Sequence, residues 1–159
     1  MNISRIVGGT ILACALAWVV SSWVAQIDAW WGFRLPAIVQ VMGVLLIAGA
    51  NALIYSAQIC FLREGGGSGV PGDSPHRLVI VGPYRWGRNP LYLSGNSILL
   101  GLALMLTSPT LLLITWASVL LFHLFIVLIE EPQLVRRYGE EYLAYRRAVP
   151  RWIPRRPKS

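Results

Sequence analysis

Hydrophobic positions along this chain gather into long runs, and the polar residues cluster between them. Crossing the hydrocarbon core of a bilayer takes roughly 20 apolar residues in a helix. Four runs approach that length: Ile6 to Ala25, Ala37 to Leu62, Leu91 to Thr107 and Thr110 to Ile129. The third is the shortest, about 25 Å at a rise of ~1.5 Å per residue, and spans only where the bilayer thins or its ends snorkel. Between the second and third runs, residues 63–90 form a loop whose start is rich in Gly and Pro. After Pro132 the pattern changes: Leu134, Tyr138, Tyr142 and Tyr145 share one helical face, with Arg136, Arg137, Glu140, Glu141, Arg146 and Arg147 mostly elsewhere. That spacing predicts an amphipathic helix over 132–149, lying on the membrane and ended by Pro150. The expected fold is all-α: a polytopic membrane helical bundle of about four transmembrane helices, a cytoplasmic loop and a C-terminal amphipathic helix, forming a single domain over 1–159.

Composition supports the bilayer as solvent, since 55% of residues are hydrophobic, 13% are charged and the mean hydropathy is +0.57. The net charge of +7 could suggest nucleic acid, but the basic residues sort by side. Arg5, Arg63, Arg77, Arg85, Arg88 and every basic residue from Arg136 to Lys158 fall on one side of a four-span chain, leaving Arg34 on the other. By the positive-inside rule both termini and the 63–90 loop are cytoplasmic. With no nucleic-acid motif present, the basic surface is expected to meet membrane lipids, not nucleic acid. Arg5 ahead of an apolar run resembles a signal peptide, but the run continues past Cys14 to Trp23 and reads as a span. Cys14 and Cys60 lie within predicted spans, where packing is their expected role, and no metal-ligating cluster is evident. Gly65 to Gly69 lacks the Lys-Ser/Thr ending of a phosphate loop and reads as linker. Leu78 to Val81 are too few to span and are expected to dip against the bilayer surface or the bundle, and Pro90 opens the third helix.

Polar residues inside the spans cost free energy unless they face protein, water or a ligand. Asn51, Tyr55 and Gln58 share a face of the second span; Asn89, Tyr92 and Asn96 share one at the third; His123 and Glu130 share one on the fourth. Three stripes are therefore expected to converge in the cytoplasmic half of the membrane, either as interhelical hydrogen bonds or around a cavity. Glu130 and Glu131 stand at the C-terminal end of a helix, where the macrodipole disfavours anions. Arg88, Arg136 or Arg137 could compensate them, and so could a cationic ligand.

In order along the chain come His76-Arg77-Leu78-Val79, Gly82-Pro83-Tyr84-Arg85, Arg88-Asn89-Pro90-Leu91-Tyr92, Glu130-Glu131, Tyr138-Gly139-Glu140-Glu141-Tyr142, Tyr145 and Val149-Pro150. This combination resembles the isoprenylcysteine carboxyl methyltransferases and the related phospholipid methyltransferases. The resemblance implies S-adenosylmethionine as cofactor, held at the cytoplasmic face by His76, Arg77, Leu78, Val79, Tyr84, Asn89, Pro90, Leu91, Tyr92 and Glu130. It also implies methyl transfer to a lipophilic acceptor entering from the bilayer, with no metal. Two positions depart from the family pattern: Asn89 stands where eukaryotic members usually carry His, and Ile126 where carboxyl methyltransferases place an Arg thought to hold the substrate carboxylate. Arg85, Arg88 or Arg137 is left to take that Arg's place. A carboxylate acceptor needs no base, whereas an amine acceptor would, with His123 or Glu131 as the candidate. The expected reaction is carboxyl O-methylation of an isoprenylcysteine-like or other lipidic acid. The rivals are a phospholipid or lipid-amine N-methyltransferase and a non-enzymatic small membrane subunit.

Overall fold

A computed structural model describes residues 22–65 and 77–153. The first predicted span up to residue 21, the start of the glycine-rich loop and His76 lie outside the described residues. All regular structure among the described residues is helical. Residues 22–31 are helical, so that helix continues past the predicted end at Ala25. Helix α1 (Ala37–Gly65) begins where the sequence predicts, after Pro36, and outlasts the apolar run by a turn that carries Arg63 and Glu64. A short 3₁₀ turn (Gly82–Arg85) leads to α2 (Pro90–Met105), and a tight connection leads to α3 (Pro109–Phe125). Ser108 caps α3 by accepting a hydrogen bond from the Leu111 amide at 3.0 Å.

Two corrections to the predicted elements follow from single residues. The first concerns Pro132, which was expected to start a separate helix. Instead the last long helix continues from Pro109 to Tyr138 through one π turn, Ile126–Glu130, into α4 (Glu131–Tyr138). Proline lacks an N–H and its ring crowds the carbonyl four residues back. A locally widened ladder relieves both effects, and the Glu131 amide accordingly donates to the Ile126 carbonyl five residues back. The second concerns the C-terminal segment, expected as one helix. Gly139, at φ 55° and ψ −129°, divides α4 from α5 (Glu140–Ala148), in a conformation that glycine alone adopts at little cost.

Only α1 and the Pro109–Tyr138 helix are long and apolar enough, among the described residues, to cross a membrane. Helix α2, with 16 residues, reaches about 24 Å at ~1.5 Å per residue, short of the hydrocarbon thickness. It packs closely on α1 through small residues. Gly43, Ala50 and Ala57 recur every seven positions on the buried face of α1, opposite Ser94, Gly101 and Ala103 of α2. A Cβ added to Gly43 would lie 2.6 Å from the Gly101 carbonyl oxygen, so the two backbones touch. In lipid, where apolar burial provides little drive between helices, such close packing is what holds them. Helices α2 and α3 are joined by the Ser118 hydroxyl, which donates to Asn96 Oδ1 at 2.5 Å, and by the Tyr92 and Phe122 rings, 5.2 Å apart. At the opposite end of the bundle from Glu130, Asp28 accepts a hydrogen bond from the Thr110 amide at 3.0 Å, which docks the helical stretch 22–31 on the start of α3. The outer face of the last helix stays bare: Leu113, Trp116, Leu121 and Leu128 are each more than 60% exposed, a surface suited to lipid.

Candidate functional site

Pro90 disfavours helical geometry for the residue before it, so the chain stays non-helical at Asn89, at φ −124° and ψ 55°, before α2 begins. That bend turns Arg88 inward, onto the C-terminal segment. The Arg88 amide donates to the Pro150 carbonyl at 2.9 Å, and its Nε donates to the Val149 carbonyl at 3.0 Å. Its Nη1 donates to Glu131 Oε1 and to the Tyr142 hydroxyl, each at 2.9 Å. Glu131 is buried at the start of α4 and receives a second guanidinium: Arg151 Nε reaches Oε1 at 2.7 Å and Nη2 reaches Oε2 at 3.0 Å. The Glu131 hydrogen bond holds Arg151 above the ordinary arginine range, against a smaller opposing effect of burial. Among the pairings expected for the two glutamates, Arg88 is realised; the second partner is Arg151, which sequence reasoning missed.

A second set of contacts ties the loop to α5. The buried Tyr145 hydroxyl donates to the Tyr84 carbonyl at 2.7 Å. Leu78 and Ile80 pack against Tyr142, Tyr145 and Val149, together with Leu134 and Tyr138, so the predicted amphipathic face does assemble, but against the loop. Val79 packs with Ala57 and Tyr84, joined by Leu91 and Cys60. The Leu78–Val81 stretch thus lies on the bundle. Burial raises the phenols of Tyr142 and Tyr145 above their ordinary range. Burial, then the neighbouring Cys60 and Glu130, raises that of Tyr84.

Glu130 belongs to a separate cluster. It shares a hydrogen bond with the Tyr92 hydroxyl and lies near enough to Tyr84 and Glu131 to interact with their charges. Two buried polar atoms here make no hydrogen bond among the described residues: Glu130 Oε2 and the Tyr84 hydroxyl. Leaving such groups unmade in a folded protein costs about 1–3 kcal/mol each, more for a charge. Of the residues expected to hold the cofactor, Val79, Tyr84, Leu91, Tyr92 and Glu130 gather on this side. Leu78 sits in the neighbouring tyrosine cluster, and Arg77 is exposed.

Asn89 and Pro90 make contacts of their own. They line a cavity of about 330 Å³ whose wall also includes Leu53, Trp86, Leu93, Arg151 and Trp152. The Asn89 amide donates to the Arg151 carbonyl at 3.5 Å. His123 does not share a cluster with Glu130, because the π turn between them shifts the helical register; its Nδ1 instead accepts a hydrogen bond from Trp152 Nε1 at 3.1 Å. The expected convergence of three polar stripes is also reduced. Asn51, Tyr55 and Gln58 are exposed on α1, and the Asn51 amide turns back to its own helix at the Ile47 carbonyl. Ile126, where an Arg would be expected from the family pattern, is 1% exposed and serves as core.

The donor and acceptor set around Glu130 fits S-adenosylmethionine. A carboxylate oxygen and a phenol that lack partners can take up an ammonium group or ribose hydroxyls. His/Cys/Asp/Glu groupings able to hold a metal are absent among the described residues.

Among the described residues, two helices long and apolar enough to cross a membrane end beside this group of buried polar side chains. The family model for phospholipid methyltransferases matches residues 38–141, well over half of the chain, and the chain belongs to that family. Membership implies a methyltransferase. No curated protein and no solved structure matches the chain.

Proposed function

We propose that this protein transfers a methyl group from S-adenosylmethionine to a lipophilic acceptor at the cytoplasmic face of a membrane. The observation that carries this reading is the pair of buried atoms without a hydrogen-bond partner among the described residues, Glu130 Oε2 and the Tyr84 hydroxyl, within the stretch that matches the family. When bound, the cofactor supplies a methyl group on a cationic sulfur, ready for in-line attack. Glu130, Tyr84 and Tyr92 would hold it, with Val79 and Leu91 as apolar neighbours. Arg88, Glu131, Tyr142, Tyr145 and Arg151 act as a latch that keeps the loop and the C-terminal helices closed over that position and restricts water. Alignment of the two reactants can supply roughly 7–11 kcal/mol of the barrier. In topology, we assign the Arg63, Arg77, Arg85 and Arg151 end to the cytoplasm by the positive-inside rule, with the remaining spans completing a four-helix bundle.

For the acceptor, a lipidic carboxylate fits best, because both candidate bases are engaged. Glu131 is held by two guanidinium groups, and His123 Nδ1 already accepts the Trp152 N–H. A carboxylate acceptor would need no base, since its oxygen carries no proton to remove before it could accept the methyl group that the cofactor would supply. An amine acceptor is the second reading, favoured by the family description, which names phospholipids. Membranes incubated with methyl-labelled cofactor separate the two, since an ester product is base-labile and an N-methyl amine is not.

The cofactor assignment is tested by Glu130→Gln. Loss of one charge-assisted hydrogen bond should weaken S-adenosylmethionine binding about tenfold in calorimetry, with helical content unchanged. Unaltered affinity would remove the assignment, and no saturable binding to the wild type would favour a non-enzymatic subunit.

A further inference from the structure

The reaction as read so far leaves the cavity between α1, the 3₁₀ turn, the start of α2 and the C-terminal segment without a use. Its wall is mostly apolar, with Leu53 and Leu93 on the helices and Trp86 and Trp152 on the connecting segments. One cation, Arg151, takes part in that wall, and its side chain is 27% exposed. A guanidinium carries five N–H donors. Glu131 engages two on Arg151, and the others make no hydrogen bond among the described residues. Of the two guanidinium groups that hold Glu131, Arg88 and Arg151, only Arg151 lines the apolar pocket. Trp86 directly follows the exposed Arg85 in the chain, a pairing of aromatic and basic residues found at the headgroup level of a bilayer.

From this juxtaposition we infer that the cavity is the acceptor's binding subsite, in which the apolar chain rests against Leu53, Trp86, Leu93 and Trp152 while Arg151 holds a carboxylate at its mouth. The inference deepens the methyltransferase reading and rests on it for the word acceptor, but the subsite itself is defined without the cofactor. A cavity of about 330 Å³ stands at the small end of ligand pockets and suits one chain more readily than two. With Ile126 buried as core, Arg151 becomes the residue that sets the acceptor's charge.

The test is saturable binding of laurate and of the matching alcohol, dodecanol, to the full chain in nanodiscs, with empty nanodiscs subtracted and no cofactor present. The wild type should bind laurate about tenfold more tightly than dodecanol, the worth of one charge-assisted contact. Arg151→Gln should collapse that ratio toward one, and Arg151→Lys should keep most of it. Because Arg151 also latches Glu131, a purely structural role would weaken both probes together and leave the ratio intact, which would overturn the inference. Leu93→Trp, or Trp86→Ala should the first variant fold poorly, should weaken both probes. Undiminished binding in a folded variant would show that the cavity is not the subsite. Cofactor affinity measured on the same samples reports separately on the Glu130 assignment, so failure of one reading is distinguishable from failure of the other.

Discussion

Replacing Glu131 by Gln tests whether this residue is a latch or a base. The carboxylate is 7% exposed and accepts three bonds from guanidinium groups, one from Arg88 and two from Arg151. The Arg88 side chain is itself 7% exposed, so neutralising Glu131 leaves a buried cation without its counter-charge, whereas Arg151, at 27%, can recover some water. Breaking a fully buried pair costs roughly 3–5 kcal/mol. The exposure of Arg151 places the expected loss near the bottom of that range, about 3 kcal/mol. The loss should be local, because this cluster joins α5 and the segment through Trp152 to the bundle, alongside the Tyr145–Tyr84 and Trp152–His123 bonds and the packing of Leu78 and Ile80. Hydrogen exchange of the Arg88 and Val149 amides, read by peptide mass spectrometry, should then accelerate by roughly a hundredfold, since each 1.4 kcal/mol is about tenfold in the opening equilibrium. Glu131→Asp should fall between. If Glu131→Gln abolished methyl transfer while exchange in residues 84–89 and 140–153 stayed at the wild-type rate, the latch reasoning would be refuted and a direct chemical role would replace it.

Two further outcomes follow from the packing and the phenols. Gly101→Ala would place a Cβ 2.6 Å from Ile47 Cγ1 and 2.8 Å from the Gly43 carbonyl oxygen; it should destabilise the α1–α2 pair by about 1–3 kcal/mol in denaturant titrations, whereas Gly49→Ala, which meets nothing within 4 Å, should not. Burial raises the folded phenols of Tyr84, Tyr142 and Tyr145, so their neutral forms favour the docked state. That stability is fully present below the unfolded tyrosine value of about 10 and is lost as pH rises above it toward the folded values. Protease protection of the C-terminal segment should therefore stay level to about pH 9 and fall only above about pH 10, together with the appearance of tyrosinate absorbance. A decline near neutrality would count against these phenols as the responsible groups.

What the sequence could and could not convey divides along the line between local and distant causes. The start of α1 was legible because an unbroken apolar run begins at Ala37, and the run from Thr110 gave the start of the last long helix to within one residue. The end of that helix was not, since proline at 132 is compatible either with a new helix or with a π turn that lets the old one continue. Packing of α4 against the loop decides between them. The glutamate pair stood out as two charges at the foot of an apolar run, and Arg88 as a cation next to a helix-starting proline. Their meeting spans 43 residues, and Arg151 reaches Glu131 across 20, distances over which no periodicity operates. Arg151 was one of fourteen basic residues, grouped with all those from Arg136 to Lys158 on the basic side of the chain. Only the return of the chain at Val149 and Pro150, where carbonyls accept from Arg88, turns it back toward the membrane rim. The residue proposed to choose the acceptor's charge is therefore one whose role depends on a docked C-terminal segment, so any change that opens the latch should blur acceptor selectivity before it affects cofactor binding at Glu130.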